Sequence, residues 1–150
     1  MKPFLLGLVR AALGAVFLYA AATKLPDLAA FATDLANYRM LPAALVPAAA
    51  ATVVGIELVV GALLVAGLAA RAAALVTAGL LALFVAGLSQ ALLRGIDLHC
   101  GCFGGTELAS WGTVARDLPM LGAAAVAVWG PGRLRPGRII SAPPGAAGRE

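Results

Sequence analysis

The stretch of sequence that decides the fold is residues 72–93, AAALVTAGLLALFVAGLSQALL, which contains no charged residue. A helix needs about 20 mostly apolar residues to cross the hydrocarbon core of a bilayer. Residues 72–93 satisfy that requirement without interruption, and an apolar helix surface on all sides is typical of a buried or membrane-embedded helix. We therefore predict that this stretch forms a transmembrane helix.

Three further stretches have the length of a membrane span and contain few charges; these are residues 3–23, 45–70 and 111–129. Arg10 interrupts the first stretch and Glu57 the second, whereas Arg116 and Asp117 lie near the start of the last. Together with residues 72–93 they predict an all-α fold, a four-helix transmembrane bundle. The bundle occupies a single domain, residues 1–130.

Composition supports a membrane protein and excludes other classes. The chain is 62% hydrophobic and 12% charged, whereas a soluble domain is about half apolar and a quarter charged. Lipid must therefore cover the apolar surface that a chain of this length cannot bury. The net charge is +4, but no basic face with polar or aromatic partners is visible, so we expect no nucleic-acid partner.

Residues 24–42 connect the first two spans and carry a helical pattern of their own. Asp27 is a suitable N-cap residue, and apolar residues follow it at helical spacing: Leu28, Phe31, Leu35 and Tyr38. This pattern predicts a short amphipathic helix lying in the membrane interface. An ordinary polar loop is the alternative.

The distribution of arginine predicts the topology. Residues 131–150 are rich in Pro, Gly and Arg and are expected to form a disordered basic tail. The positive-inside rule then places both termini in the cytoplasm of a bacterial cell, with the connection between the last two spans outside the inner membrane. Residues 3–23 also resemble a signal peptide, but Arg10 interrupts the apolar run and argues against cleavage.

The segment RGIDLHCGCFGG, residues 94–105, is the strongest candidate for a chemical site. A disulfide between Cys100 and Cys102 would close a small ring, and a strained disulfide is more easily reduced. Such a pair suits thiol–disulfide exchange outside the cell, where disulfides persist. Positive charge from Arg94, His99 and Arg116 would favour the reactive thiolate.

Two alternatives to a redox pair stay open on these residues. Cys100 and Cys102 would be unreactive thiols if they only fill space in a loop. They would bind a soft metal such as copper or zinc if His99 joined them. A closed zinc site needs four ligands and the segment offers three, so we assign no metal site.

Glu57 is the second candidate, because a carboxylate inside a membrane span is costly and normally has a partner. Counting 1.5 Å per residue along the first two spans places Arg10 at a similar depth. We therefore expect a buried Arg10–Glu57 pair. Both a structural role, fixing the register of the helices, and a proton-handling role are compatible with this pair.

Taken together, these residues resemble the MauE family of methylamine utilisation proteins, within the broader DoxX-like membrane group. The resemblance covers residues 5–130 and rests on the following matches: Arg10, the run KLPD at 24–27, Phe31 through Tyr38 to Leu41-Pro42, Glu57, Gly61, Arg71, Arg94-Gly95, the run CGCFG at 100–104, and Arg116-Asp117. The CGCFG run is the most specific of them.

The resemblance implies a role in redox maturation of exported proteins, as in methylamine metabolism, where the substrate is the disulfide-rich small subunit of methylamine dehydrogenase. It further implies a periplasmic thioredoxin-like partner and keeps a quinone as a candidate electron acceptor. A non-catalytic membrane scaffold for the thioredoxin-like partner is the alternative. The sequence does not decide whether the chain is an enzyme.

Overall fold

The structure, a computed structural model, describes residues 3–96 and 108–130. Within these ranges the chain forms five α-helices: α1 Pro3–Lys24, α2 Leu28–Asn37, α3 Val46–Ala66, α4 Ala70–Leu93 and α5 Trp111–Trp129. Short 3₁₀ turns, Leu25–Asp27 and Ala43–Leu45, precede α2 and α3. The all-α prediction is thereby confirmed for the part of the chain that is described.

Three of the described stretches are long and apolar enough to cross a membrane: Phe4–Asn37, Ala43–Ala66 and Ala70–Leu93. They correspond to the first three predicted spans, and the first of them runs on through α2. Helix α5 has the predicted bounds, but it is not among these stretches. Because Arg116, Asp117 and Pro119 make α5 less apolar, its crossing of the membrane stays a prediction.

The second predicted span extends too far, since α3 ends at Ala66 and not at Ala70. Gly67 adopts a left-handed conformation with φ of 70°, which glycine reaches without the steric cost of a Cβ. The Gly67 and Leu68 N–H groups then donate to the carbonyls of Leu64 and Leu63. This arrangement satisfies the last carbonyls of α3 and turns the chain directly into α4.

Helices α1 and α3 run antiparallel and approach each other closely at two glycines. A Cβ on Gly14 would lie 2.7 Å from the carbonyl oxygen of Gly61, and a Cβ on Gly61 would lie 2.8 Å from Cγ of Leu18. Small residues allow membrane helices to pack backbone against backbone. The Gly14–Gly61 crossing therefore sets how far α1 and α3 can slide relative to each other.

Large apolar side chains lie on both the inside and the outside of the bundle. The central cluster draws buried residues from α1, α3, α4 and α5, including Leu13, Phe17, Val60, Leu64 and Leu81. Outside, Phe4, Val59, Leu75 and Leu83 are among many exposed large hydrophobic residues. Exposed apolar surface on this scale is typical of a protein that lipid surrounds.

Helix α2 forms where the amphipathic pattern predicts a helix. Asp27 Oδ1 accepts a hydrogen bond of 2.8 Å from the backbone N–H of Ala30, which caps the helix. Phe31 and Tyr38 are buried, so the apolar stripe faces the rest of the bundle. The position of α2 in a membrane interface stays a prediction.

Replacing Gly14 by Ala should separate α1 from α3, because the new methyl group would meet the backbone carbonyl oxygen of Gly61 as well as the side chain of Val65. We expect a loss of about 1–3 kcal/mol in the free energy of unfolding, as for other overpacked sites. Gly7→Ala on the same helix is the control, since nothing lies within 4 Å of a Cβ at Gly7. Thermal unfolding in detergent measures both variants, and equal losses would contradict the role of the crossing.

Candidate functional site

A buried ion pair joins the end of α1 to the middle of α3. Lys24 Nζ lies 2.6 Å from Glu57 Oε1, and the two side chains are only 1% and 3% exposed. Burying either charge without a partner would cost several kcal/mol per ion. Each of the two residues therefore makes the burial of the other one tolerable.

The direction of the side chains explains how residues on different levels of the bundle meet. In an α-helix the Cα–Cβ bond tilts toward the N-terminus of that helix. Because α1 and α3 are antiparallel, Lys24 leans inward along α1 while Glu57 leans toward the end of the bundle at which α1 finishes. The long aliphatic part of the lysine side chain covers the remaining distance.

Two aromatic rings enclose the Lys24 ammonium group. Its Nζ lies 5.0 Å from the ring centroid of Phe31 on α2 and 5.8 Å from that of Phe84 on α4. A cation within about 6 Å of a ring centroid is attracted by the ring, most strongly where water is excluded. The rings thus stabilise the charge and bring α2 and α4 onto the same site.

The predicted Arg10–Glu57 pair is wrong. Arg10 Nη2 instead donates a 2.7 Å hydrogen bond to the carbonyl oxygen of Ala127 near the end of α5. Gly14 and Gly61 lie at the same level, where α1 and α3 cross. Arg10 lies one turn before Gly14 on α1, and Glu57 lies one turn before Gly61 on α3. Because the helices are antiparallel, the two residues lie on opposite sides of the crossing. The two residues are therefore about 12 Å apart along the bundle at 1.5 Å per residue.

Asp117 on α5 is a buried carboxylate that the sequence pattern marked only as a charge near the start of the last span. Its Oδ1 lies 3.2 Å from Nε of Arg116, whose side chain is 40% exposed. The signal that could have singled it out is a charge within an apolar stretch, which usually marks function or pairing. Arg116 was named as a site residue because a positive charge favours a thiolate, and Asp117 carries the opposite charge.

Glu57 and Asp117 line one small cavity between α1, α3, α4 and α5. The cavity has a volume of about 30 Å³, and its other walls are apolar side chains such as Phe17, Leu81 and Phe84. A cavity of this size holds about one water molecule. Within the described residues Glu57 Oε2 has no hydrogen-bond partner, so this oxygen can still accept a hydrogen bond.

Of the remaining predicted site residues, Arg94 and Arg116 lie in the part of the chain that the structure describes. Arg94 is exposed at the end of α4, whereas His99, Cys100 and Cys102 lie outside the described residues. Their predicted roles stay predictions.

The flanks of the cysteine segment can be placed relative to the ion pair. Ile96 and Ala109 pack against a buried cluster of Tyr38, Leu88, Ala91 and Val114. Tyr38 follows α2, which itself begins just after Lys24. The chain thus leaves α4 and enters α5 at the end of the bundle where Lys24 lies.

The model of one protein family, described as methylamine utilisation protein MauE, matches residues 2–130. This match confirms the resemblance that the sequence motifs indicate. No curated protein and no solved structure matches the chain.

Removing one partner of the ion pair should be far more harmful than removing both. We expect Lys24→Met or Glu57→Gln alone to lower the free energy of unfolding by about 3–5 kcal/mol, because the other group is left buried without its partner. The double variant Lys24→Met/Glu57→Gln should recover much of that loss, because neither charge is then buried without its partner. Thermal unfolding of the full chain in detergent gives the coupling energy of the pair.

Arg10→Met supplies the control for this cycle. Because Arg10 and Glu57 do not touch, the effects of Arg10→Met and Glu57→Gln should add within about 0.5 kcal/mol. A coupling of Arg10 to Glu57 as large as that of Lys24 would contradict the observed pairing.

Proposed function

This chain belongs to the MauE family of methylamine utilisation proteins, and we propose that it supports thiol–disulfide chemistry during maturation of exported proteins. It is a multi-pass membrane protein with apolar helices. Cys100 and Cys102 carry the redox chemistry, and the substrates are proteins that acquire disulfides outside the cytoplasm. By family likeness, the small subunit of methylamine dehydrogenase is one such protein.

The observation that carries the proposal is the position of the two cysteines in the chain. They are the two that the sequence contains, they stand one residue apart, and three glycines at 101, 104 and 105 accompany them. Their segment joins Ile96 to Leu108, at the end of the bundle where α4 finishes. A dithiol between two helices of a membrane protein is accessible to a partner that approaches from one side of the membrane.

The proposed reaction is exchange of one disulfide for another. A thiolate of the reduced pair attacks a disulfide sulfur of the partner, a mixed disulfide forms, and the second thiol resolves it. The pair is oxidised as the partner disulfide is reduced, and the reverse reaction follows the same path. The partner that fits this chemistry is a periplasmic thioredoxin-like protein.

Three basic residues are proposed to favour the thiolate: Arg94, His99 and Arg116. Arg94 ends α4, and Arg116 lies in the second turn of α5. The Asp117 carboxylate holds the guanidinium of Arg116 at 3.2 Å, which limits the orientations that the arginine can adopt. In this proposal Asp117 is a positioning residue for Arg116.

Arg10 and Glu57 have structural roles in this proposal. Each already has a partner, Arg10 the carbonyl of Ala127 and Glu57 the ammonium of Lys24. A buried ion pair is best supported as a device that fixes helix register. The Lys24–Glu57 pair thereby positions the end of the bundle from which the cysteine segment extends.

A quinone is a candidate electron acceptor by family likeness, but it does not fit beside the ion pair. The cavity next to Glu57 and Asp117 measures about 30 Å³. A single six-membered ring such as benzene occupies an apolar cavity of about 150 Å³. We therefore do not assign this cavity as a quinone site.

The proposed location is the bacterial inner membrane, with both termini in the cytoplasm and the cysteine segment outside. Arginines at positions 133, 135, 138 and 149 support this orientation through the positive-inside rule. Disulfides also persist outside the cytoplasm but are rare inside it. Orientation and chemistry thus favour the same side of the membrane.

Thiol trapping in intact cells tests the proposal. After growth, a membrane-impermeant maleimide should modify neither cysteine until a reductant is added, and then both, because the pair is oxidised and faces outward. The single variants Cys100→Ser and Cys102→Ser should each expose one thiol without reductant and should lower the yield of correctly bonded exported protein.

The double variant Cys100→Ser/Cys102→Ser is the control for labelling at other sites. Two permanently reduced thiols in wild type, together with full maturation in both single variants, would overturn the redox role and favour a non-catalytic scaffold.

A further inference from the structure

The end of the bundle opposite Lys24 carries positive charges that no carboxylate of the described residues balances. The acidic residues of the described chain all lie on the Lys24 side of the glycine crossing: Asp27, Asp34, Glu57 and Asp117. Arg10 lies on the other side of the crossing, and Arg71 is the second residue of α4. A charge in a membrane-embedded segment is costly and normally has a partner.

Arg10 and Arg71 lie at nearly the same level of the bundle. At 1.5 Å per residue, Arg10 is about 6 Å beyond the crossing and the end of α3 is about 7.5 Å beyond it, and α4 starts four residues later. Arg71 is close enough to Arg10 for the two positive charges to repel each other. An anion between or beside the two guanidinium groups would relieve this repulsion.

Arg10 is not fully satisfied by its own partner. Its side chain is buried, and Nη2 donates to the carbonyl oxygen of Ala127. Among the described residues, Nε of Arg10 has no hydrogen-bond partner. The carbonyl is neutral, so the positive charge of Arg10 still has no counter-charge at this end of the bundle.

The first turn of α4 adds hydrogen-bond donors at the same place. Its N-cap residue is Ala69, whose side chain cannot accept a hydrogen bond, and the first turn contains no acidic residue. The free N–H groups and the dipole at such a helix start attract a phosphate group. Arg71 is exposed, and a guanidinium group binds phosphate through two parallel N–H groups.

An exposed apolar face continues from Arg71 along α4. Leu75, Gly79 and Leu83 follow at intervals of four residues, so they lie on the same face of the helix, and all three are exposed. Trp129, 79% exposed, ends α5 near this level, and tryptophan is enriched where lipid headgroups begin. A phospholipid therefore fits this face with its phosphate at Arg71 and an acyl chain along Leu75, whereas a free phosphate ion uses only the first contact.

We propose that this end of the bundle binds the phosphate group of an anionic phospholipid, through Arg71 and the first turn of α4, with the charge of Arg10 beside them. Basic residues in the flanking sequence, Lys2 and the arginines at 133, 135 and 138, strengthen the attraction to an anionic membrane surface. The proposal does not depend on the thiol chemistry, because none of its evidence involves the cysteine segment. The bound lipid should raise the thermal stability of the protein.

Lipid titration of the full chain in micelles of a neutral detergent tests the proposal. Phosphatidylglycerol and phosphatidylcholine with identical acyl chains are compared by native mass spectrometry, which counts the bound lipids. Phosphatidylglycerol should bind about tenfold more tightly, because the choline group of the other lipid cancels the charge of its phosphate. Equal affinity for the two lipids would overturn the proposal.

Arg71→Gln locates the bound lipid, and Arg94→Gln is the matched control. Both arginines are exposed on α4, but Arg94 follows its last turn, where the helix dipole disfavours an anion. Affinity for phosphatidylglycerol should fall about tenfold in Arg71→Gln and stay unchanged in Arg94→Gln. Equal affinities of the two variants would overturn this end of α4 as the site.

Two further measurements sharpen the outcome. Arg71→Lys keeps the charge but loses the paired N–H groups, so its affinity should lie between those of wild type and Arg71→Gln; it also serves if Arg71→Gln fails to fold. Sodium phosphate at the same concentration as the lipid should not displace phosphatidylglycerol, and displacement would overturn a lipid as the ligand. Cys100→Ser/Cys102→Ser should bind phosphatidylglycerol unchanged, which separates this result from that of the thiol experiment.

Discussion

The buried contact between Lys24 and Glu57 is the interaction on which the arrangement of the helices depends. Two charges that lie between apolar helices are tolerable only when they meet, so α1 and α3 must adopt the register that brings them to 2.6 Å. The rings of Phe31 and Phe84 cover the lysine, which draws α2 and α4 to the same point. One ion pair thereby organises four of the five described helices.

The glycine crossing of α1 and α3 and the ion pair reinforce each other. Gly14 and Gly61 allow the two backbones to touch, and the ion pair lies about one turn away toward the end of α1. Sliding either helix by a turn would separate the charges and force a side chain into the backbone. Contacts between apolar helix surfaces select one register only weakly. The ion pair and the glycine crossing therefore determine how α1 and α3 are aligned.

This arrangement separates three features in a small bundle. The interior holds the charges that define register, the proposed thiol pair belongs to the connection from α4 to α5, and an apolar pocket of about 200 Å³ lies between α2, α3 and α4. Phe84 touches both the pocket and the cavity beside Glu57. The apolar pocket and the cavity are therefore separated by a single side chain, although they differ in size.

The helices themselves were predictable from local sequence, because the length of an apolar run and the absence of breakers determine whether a helix can cross a bilayer. Helix α5 has the predicted bounds, Asp27 caps α2 as expected, and the family follows from residues visible in the chain.

The partners of the buried charges were not predictable in this way, and only the tertiary structure shows that Glu57 meets Lys24 while Arg10 meets a carbonyl of α5. Depth along a span gives one coordinate of a residue, whereas pairing also depends on helix rotation, on the tilt of each side chain and on the glycine crossing. For the same reason, the position of Asp117 could not be predicted from the sequence. Its charge is visible in the sequence, but its place beside the cavity shared with Glu57 results from the packing of α5 against the other helices.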